Sequence, residues 1–311
     1  MTAVLRVVAA GALTTVQDLG RPHAIGSGVS PGGAMDRFAH RAANLIAGND
    51  EGDATLECTV SGPRLVAKVA CVIAVTGADF DLRVNGTPVP AWSAVALSEG
   101  DELSFAGRRA GGRAYIAVAG GIAADRWLGS LSTNLLAQRG GMGGRALAAG
   151  DVIDGAGHWT DPAGRPRHFD EALRPRYSDH TLKVIAGPDL QRLGAAGRKL
   201  LLDTEFAVGR DSDRMGYRLE GPALAAPGDE LLSFGLVAGV LQVPPGGRPV
   251  LLMADHPTAG GYPVVATVAS ASMPVAAQLI PGDWLRFEEI SLEDALRLRA
   301  DQREALDSLI S

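Results

Sequence analysis

Four short stretches gather the side chains that chemistry needs. The densest is Asp211-Ser212-Asp213-Arg214-Met215-Gly216-Tyr217-Arg218, where carboxylates and guanidiniums crowd together. A carboxylate–guanidinium pair held out of water can orient an anionic substrate or tune a neighbouring base. The same residues also suit a salt-bridged turn. A second stretch joins Gln242-Val243-Pro244 to Ala254-Asp255-His256-Pro257-Thr258-Ala259-Gly260-Gly261-Tyr262-Pro263. Histidine is the side chain suited to proton transfer near neutral pH, which makes Asp255 and His256 candidates for a proton shuttle. Gly260 and Gly261 permit a close backbone approach ahead of Tyr262. A capped loop histidine fits the same residues.

The third stretch is Thr14-Thr15-Val16-Gln17-Asp18-Leu19-Gly20-Arg21, followed by Gly32-Gly33-Ala34-Met35-Asp36. Glycines at a helix start present backbone N–H groups that suit an anion. The structural alternative pairs Asp18 with Arg21 and puts Asp36 in the first helical turn, where a carboxylate favours the dipole. The fourth runs Leu128-Gly129-Ser130-Leu131-Ser132-Thr133-Asn134 and Arg139-Gly140-Gly141-Met142-Gly143-Gly144-Arg145. Its hydroxyls, amides and arginines can cradle phosphate or carboxylate, or form a glycine-rich surface loop. His23, His40, His158, His168 and His180 show no partner spacing and read as surface residues.

Several known chemistries have no signature. There is no G-x-x-x-x-G-K-[ST] loop. No H-E-x-x-H, Cys-x-x-Cys or close histidine pair is present, so a zinc site is not expected. No Met-Lys dipeptide of the kind that carries biotin occurs.

The elements that must position these residues are mainly strands. Ala54, Leu56, Cys58 and Val60 alternate with Thr55, Glu57 and Thr59, a period of two that buries one face. Phe80, Leu82 and Val84 alternate with Asp81 and Arg83, and Asn85-Gly86 follows as a two-residue hairpin turn. One helix starts near Ala34, with Met35, Phe38, Ala39, Ala42, Leu45 and Ile46 on its apolar face, Asp36, Arg37, His40 and Arg41 opposite, and Gly48 at its end. A second is C-terminal, opened by Ser291 and Asp294 as a capping box, with Leu292, Ala295, Leu296, Leu306, Leu309 and Ile310 as its apolar face. The sequence contains 40 glycines in 311 residues, nearly twice the usual share of about 7%, dispersed as turns between short strands.

The chain also resembles itself. Leu5-Arg6-Val7-Val8-Ala9-Ala10-Gly11 is similar to Leu182-Lys183-Val184-Ile185-Ala186-Gly187. Glu99-Gly100-Asp101 is similar to Pro281-Gly282-Asp283, and Gly150-Asp151 repeats the turn. Two related β-rich halves follow, 1–155 and 181–311 with a terminal helix, each barrel-like. Residues 156–180, rich in proline and arginine, read as the connection.

A chain this long buries a core without staples, and Cys58 and Cys71 in apolar runs read as reduced core thiols. No basic segment leads an apolar stretch at the N-terminus, and no apolar run approaches the roughly 20 residues that span a bilayer. A cytoplasmic location is expected. The net charge of −6 is dispersed, which argues against nucleic acid. Lys68, Lys183 and Lys199 are the only lysines, leaving few candidates for Schiff-base or phosphate chemistry.

Taken together, TTVQDLGR at Thr14–Arg21, GAMDRFAHRAANLIAGN at Gly33–Asn49, LECTVSGP at Leu56–Pro63, LGSLST at Leu128–Thr133, SDRMGYRLEG at Ser212–Gly221, LQVPPGGRPVLLMAD at Leu241–Asp255 and GGYP at Gly260–Pro263 resemble the biotin-dependent carboxyltransferase-type family. That family includes the C-type subunit of 5-oxoprolinase, KipA and proteins called allophanate hydrolase subunit 2. The resemblance implies a mainly β fold of two cyclophilin-like β-barrel halves with few helices. It also implies partners, a KipI-like B-type subunit and an A-type subunit, and ATP-dependent opening of 5-oxoproline to glutamate. ATP contacts would be shared with the KipI-like partner, and neither metal nor biotin sits on this chain.

On this resemblance Asp36, Arg139, Arg214, Gln242, Gly260, Gly261 and Tyr262 bind substrate in a cleft between the halves. Asp213 with Arg214 orients its carboxylate, and Asp255 or His256 moves a proton. His256-Pro257-Thr258-Ala259 departs from the commoner glutamine- and threonine-containing version. Two other readings follow from the same family: carboxyl transfer to urea or a related amide from a biotinyl partner, and a non-catalytic regulator that binds a KipI-like protein.

Overall fold

The computed structural model describes residues 2–157, 167–228 and 231–309. Part of the expected connection at 156–180, His158 and Ile310 lie outside the described residues. The chain divides into two compact units, the first of Met1–Arg21, Gly32–Arg174 and Glu304–Ser311, the second of Pro22–Pro31 and Pro175–Arg303. The strands of the first unit, in chain order, are β1 (Thr2–Ala9), β2 (Leu13–Gln17), β3 (Thr55–Thr59), β4 (Arg64–Ala67), β5 (Cys71–Asp79), β6 (Leu82–Val84), β7 (Thr87–Pro88), β8 (Ala94–Leu97), β9 (Glu102–Phe105), β10 (Ala110–Val118) and β11 (Val152–Gly155). Those of the second are β12 (Thr181–Ala186), β13 (Phe206–Val208), β14 (Gly216–Glu220), β15 (Phe234–Gly235), β16 (Val240–Gln242), β17 (Val250–Leu252), β18 (Ala259–Gly260), β19 (Val264–Val268) and β20 (Trp284–Glu289). The α-helices are α1 (Arg37–Ala47), α2 (Gly194–Asp203), α3 (Met273–Gln278) and α4 (Leu292–Asp307).

The protein is mainly β with few helices. The first unit holds two sheets, ordered β11-β1-β4-β9-β6-β7 and β2-β3-β10-β5-β8, where a barrel was expected. Their facing surfaces form one apolar core from Leu5, Val7, Leu65 and Leu103 on one side and Val16, Leu56, Cys58, Ile73, Val75 and Ile116 on the other. Face-to-face packing of this kind buries alternate residues of every strand. Cys58 and Cys71 are free and buried, and burial pushes their thiols up to about 12 and about 11. The second unit is a closed barrel, β12-β19-β16-β17-β14-β13-β20, which leaves no unpaired edge, beside a β15–β18 ribbon.

Local signals placed several turns. Asn85 and Gly86 have φ of 50° and 79° and join β6 to β7. Gly48 caps α1 at φ 84°. The three Gly-Asp turns are the same device. Gly100, Gly150 and Gly282 have φ of 89°, 95° and 95°. Each following aspartate accepts the backbone N–H three residues earlier: Asp101 from Ser98, Asp151 from Ala148, Asp283 from Ile280. The C-terminal capping box also forms, with Asp294 N–H on Ser291 Oγ at 3.0 Å and Ser291 Oγ–H on Asp294 Oδ2 at 2.7 Å. The apolar face expected for α4 is corrected in part: Ala295 and Leu306 are buried, but Leu292 and Leu296 are exposed.

Candidate functional site

In the first unit the β2–β3–β10–β5 sheet is buried on both faces, and the face opposite the core is polar. Its residues follow from register: Thr15 faces Glu57, Gln17 faces Thr55, and Tyr115 faces both Glu57 and Thr76. Because side chains alternate along a strand, these share one side. Helix α1 lies against β5, β10 and β3, and Thr76 Oγ1 donates to its Ala39 carbonyl at 2.6 Å. Thr55 and Glu57, expected on the exposed face of their strand, are therefore buried.

The N-terminus of α1 is held tightly. Asp36 is the N-cap, its Oδ1 accepting from Ala39 N–H at 2.9 Å, one residue before the first turn where it was expected. Glu57 Oε2 accepts from Met35 N–H at 2.8 Å and from the Tyr115 hydroxyl at 2.8 Å. Tyr115 in turn accepts from Asp36 N–H at 2.7 Å. Burial, with the Glu57 and Asp36 carboxylates nearby, raises the Tyr115 phenol well above its ordinary value. His40, expected at the surface, is fully buried; its Nδ1 lies 2.9 Å from Thr55 Oγ1. Burial pushes its imidazole down to about 4, against the pull of Asp18 and Glu57.

Asp18, just past β2, organises the Leu128–Asn134 stretch. Its carboxylate accepts from Ser130 Oγ and Ser132 Oγ at 2.6 Å, Leu131 N–H at 2.6 Å and Gly20 N–H at 2.7 Å. Burial works to raise this carboxyl, but the hydroxyl and backbone donors outweigh it and hold it below the usual carboxylate range. A carboxylate so saturated is a poor base; Asp18 is an anchor. Arg21 is fully buried, donates to the Ser132 carbonyl and stacks over the Trp127 ring at 4.8 Å. Glycine is required where the two segments meet: a Cβ on Gly141 would stand 2.0 Å from Thr133 Oγ1, and one on Gly33 2.8 Å from the Leu19 carbonyl carbon. Arg139 is exposed, its backbone bridged to Asn134.

The second unit gathers the other expected residues. Arg214 grips Asp255 with both arms of its guanidinium, Nε to Oδ2 at 2.8 Å and an Nη to Oδ1 at 3.1 Å. Asp255 N–H donates to the Arg214 carbonyl at 2.8 Å, so the turn before β14 and the loop after β17 are clasped twice. Asp213 is exposed and closes its own turn, accepting from Met215 N–H at 2.8 Å and Gly216 N–H at 3.3 Å. Among the described residues Asp255 is a carboxylate in contact with Arg214, a partner that adjacency in sequence could not reveal. His256 is buried with Nδ1 2.8 Å from the Pro257 carbonyl, so Nδ1 carries the proton. Gln242 is buried and donates to the Tyr262 carbonyl at 3.2 Å. A Cβ on Gly261 would stand 2.7 Å from the Leu231 carbonyl oxygen, and one on Gly260 2.9 Å from the Leu236 side chain. Tyr262 is half-exposed.

The structure therefore brings Arg214 to Asp255, with Asp213 in the adjoining turn, and Gln242 to Tyr262 beside Gly260. Asp36 and Arg139 belong to the first unit. Gln17, Asp18, His40, Thr55, Glu57, Tyr115, Ser130 and Ser132 were not singled out as site residues, although Gln17, Asp18, Ser130 and Ser132 lay within recognised segments. Among the described residues no group of three or more His, Cys, Asp or Glu is placed to hold a metal ion. No described helix is long and apolar enough to cross a membrane.

Residues 27–289 match the family described as carboxyltransferase domain, subdomain A and B. The chain is 35% identical over 310 residues to the C-type subunit of 5-oxoprolinase from Escherichia coli K12, covering 98% of this chain and 97% of that protein. It is 34% identical over 296 residues to the corresponding 5-oxoprolinase subunit of Haemophilus influenzae, covering 95% and 94%. The crystal structure of Kluyveromyces lactis urea amidolyase superposes with a TM-score of 0.92 at 30% identity, over 99% of this chain but 20% of that one. The chain belongs to the carboxyltransferase domain family that contains the C-type subunit of 5-oxoprolinase and the corresponding part of urea amidolyase.

Proposed function

We propose that this chain is the C-type subunit of an ATP-dependent 5-oxoprolinase complex, working in the cytoplasm with a KipI-like B-type subunit and an A-type subunit. The observation that carries the reading is reciprocal coverage: 98% of this chain matches 97% of a 5-oxoprolinase subunit of the same type. The urea amidolyase match takes in only 20% of that larger chain.

The chemistry explains why several proteins are needed. A five-membered lactam is resonance-stabilised and its opening is uphill. Transfer of the terminal phosphoryl group of ATP to the amide oxygen makes the ring carbon a strong electrophile and releases ADP. Water then adds to that carbon and the ring C–N bond breaks, leaving an acyl phosphate of glutamate, which a second water hydrolyses to glutamate and phosphate. The site must hold a carboxylate and a phosphate and exclude stray water.

On this reading Arg214, Gln242, Gly260, Gly261 and Tyr262 of the second unit bind substrate, and Asp36 and Arg139 are substrate-binding residues of the first. Asp213, Asp255 and His256 supply catalysis. The Asp255 grip gives Arg214 a fixed orientation, which is what recognition of a planar carboxylate requires. ATP contacts are shared with the KipI-like partner, and the barrel is cyclophilin-like. The test is glutamate formation from 5-oxoproline with omission of each protein in turn. Full activity without this chain contradicts the reading.

The urea amidolyase superposition, TM-score 0.92, favours one second reading: carboxyl transfer to an amide from a biotinyl partner. Pull-down of a biotinylated protein, with urea-dependent turnover, distinguishes it.

A further inference from the structure

Helix α1 carries two cations that its own packing does not use. Arg37 and Arg41 stand one turn apart, a spacing that sets side chains next to each other with Cβ atoms about 5–6 Å apart. Each charge is felt locally. Desolvation and the Arg41 cation lower the Arg37 guanidinium from its ordinary value, against the pull of Asp18. Both arginines also add to the burial that lowers the His40 imidazole. Like charges at this spacing oppose the helix. Their place adds to the cost, because the start of a helix favours anions and the first turn after the Asp36 cap has no acidic residue.

Two other arginines show how this chain satisfies a guanidinium. Arg145 donates to both oxygens of Asp151 at 2.7 and 2.8 Å, and Arg198 to both oxygens of Glu289 at 2.8 and 2.9 Å. Among the described residues no acceptor is hydrogen-bonded to the side chain of Arg37 or Arg41. Arg41 Nε is buried, and its ion pair with Glu51 spans 3.9 Å, too long for a hydrogen bond. Asp18 attracts Arg37, but its oxygens are taken by Ser130, Ser132, Leu131 and Gly20. Solvent still reaches both side chains: Arg37 is exposed, and the Arg41 side chain is 32% exposed. An anion arriving from solvent can meet the pair.

We propose that Arg37 and Arg41 form a binding site for a phosphate group. Two guanidinium forks can share the oxygens of a tetrahedral dianion, whereas a planar, singly charged carboxylate is satisfied by one. A shared anion turns the repulsion between the two cations into attraction for a common partner. The site does not depend on which reaction the complex performs.

The test is calorimetric titration of the purified full chain with inorganic phosphate at fixed ionic strength, beside acetate. Phosphate is expected to bind saturably and at least about tenfold more tightly than acetate, and at least about tenfold more weakly to Arg37→Gln and to Arg41→Gln. A titration with ATP assigns the source: binding of both ligands marks the phosphates of a nucleotide, and binding of phosphate alone marks the free ion. Arg37→Gln relieves repulsion, so it should melt no lower than wild type in phosphate-free buffer. Phosphate bound no better than acetate, or bound unchanged by either variant, overturns the proposal. So does an Arg37→Gln chain that melts well below wild type without phosphate, because that marks a structural role.

Discussion

The Tyr115 hydroxyl donates to Glu57 Oε2 at 2.8 Å across the β3–β10 ladder and accepts from the Asp36 backbone N–H at 2.7 Å. One hydroxyl thus links a buried carboxylate to the first residues of α1. Tyr115→Phe removes the link without changing the ring. It leaves Asp36 N–H without this acceptor and Glu57 short of a donor, and the expected loss is about 2 kcal/mol of stability, measured by denaturant unfolding. A loss under about 0.5 kcal/mol would show that the clamp is not used.

Gly33 has φ of 91°, and a Cβ there would meet the Leu19 and Gly20 backbone at 2.8 and 2.9 Å. Gly86 has φ of 79° with open space around it. Gly33→Ala is expected to cost more than about 2 kcal/mol, from strain and overlap together. Gly86→Ala should cost about 1 kcal/mol, from strain alone. Equal melting-temperature shifts in the two variants would contradict the account of the Gly33 contact.

Arg214 and Asp255 form a nearly buried pair, their side chains 9% and 16% exposed. Asp255→Ala removes this carboxylate from a nearly buried guanidinium and should cost about 3 kcal/mol. Arg214→Lys keeps the charge but loses the fork, and should fall between wild type and that variant. Unfolding of the two single variants and their combination gives the coupling directly.

Asp213 offers a separation of stability from chemistry. Its carboxylate is exposed and accepts two backbone N–H groups within its own turn. Asp213→Asn retains an accepting oxygen, so stability should stay within about 0.5 kcal/mol. Activity of the assembled complex is expected to fall at least about tenfold. Full activity in both Asp213→Asn and His256→Ala would remove these residues from the catalytic set.

His40 gives a pH dependence of defined sign. Its imidazole titrates at about 4 when folded and at 6.5 in its unperturbed state. Between those values the unfolded chain binds the extra proton, so stability rises with pH, by up to about 1.4 kcal/mol per unit. The stability present above 6.5 is lost as pH falls toward 4, about 3 kcal/mol in all. The Asp18 carboxyl is depressed below 3.8, so its contribution is lost only at still lower pH. Unfolding free energy followed from pH 7 to pH 4 should slope in wild type and flatten in His40→Asn.

What the sequence made legible was local. The Asn85-Gly86 turn, the Gly48 cap, the Ser291–Asp294 box and the three Gly-Asp turns each depend on residues within a few positions. The polar face of β3 was not legible, because Thr55 and Glu57 alternate with apolar residues just as solvent-facing ones do. Only helix α1 lying over the sheet makes them interior. The Asp18–Ser130 bond joins residues 112 positions apart, and the Arg214–Asp255 grip spans 41. Such pairings are set by strand order, which no spacing rule encodes. The candidate segments were recognised; the partners inside them were not.

The central claim is tested most directly by ADP release from the purified chain mixed with the B-type and A-type partners, with and without 5-oxoproline. The account predicts stimulation by 5-oxoproline that needs all three proteins, with one glutamate formed per ADP. A stable complex with the KipI-like partner that shows no 5-oxoproline-dependent ADP release when the A-type partner is present would contradict it.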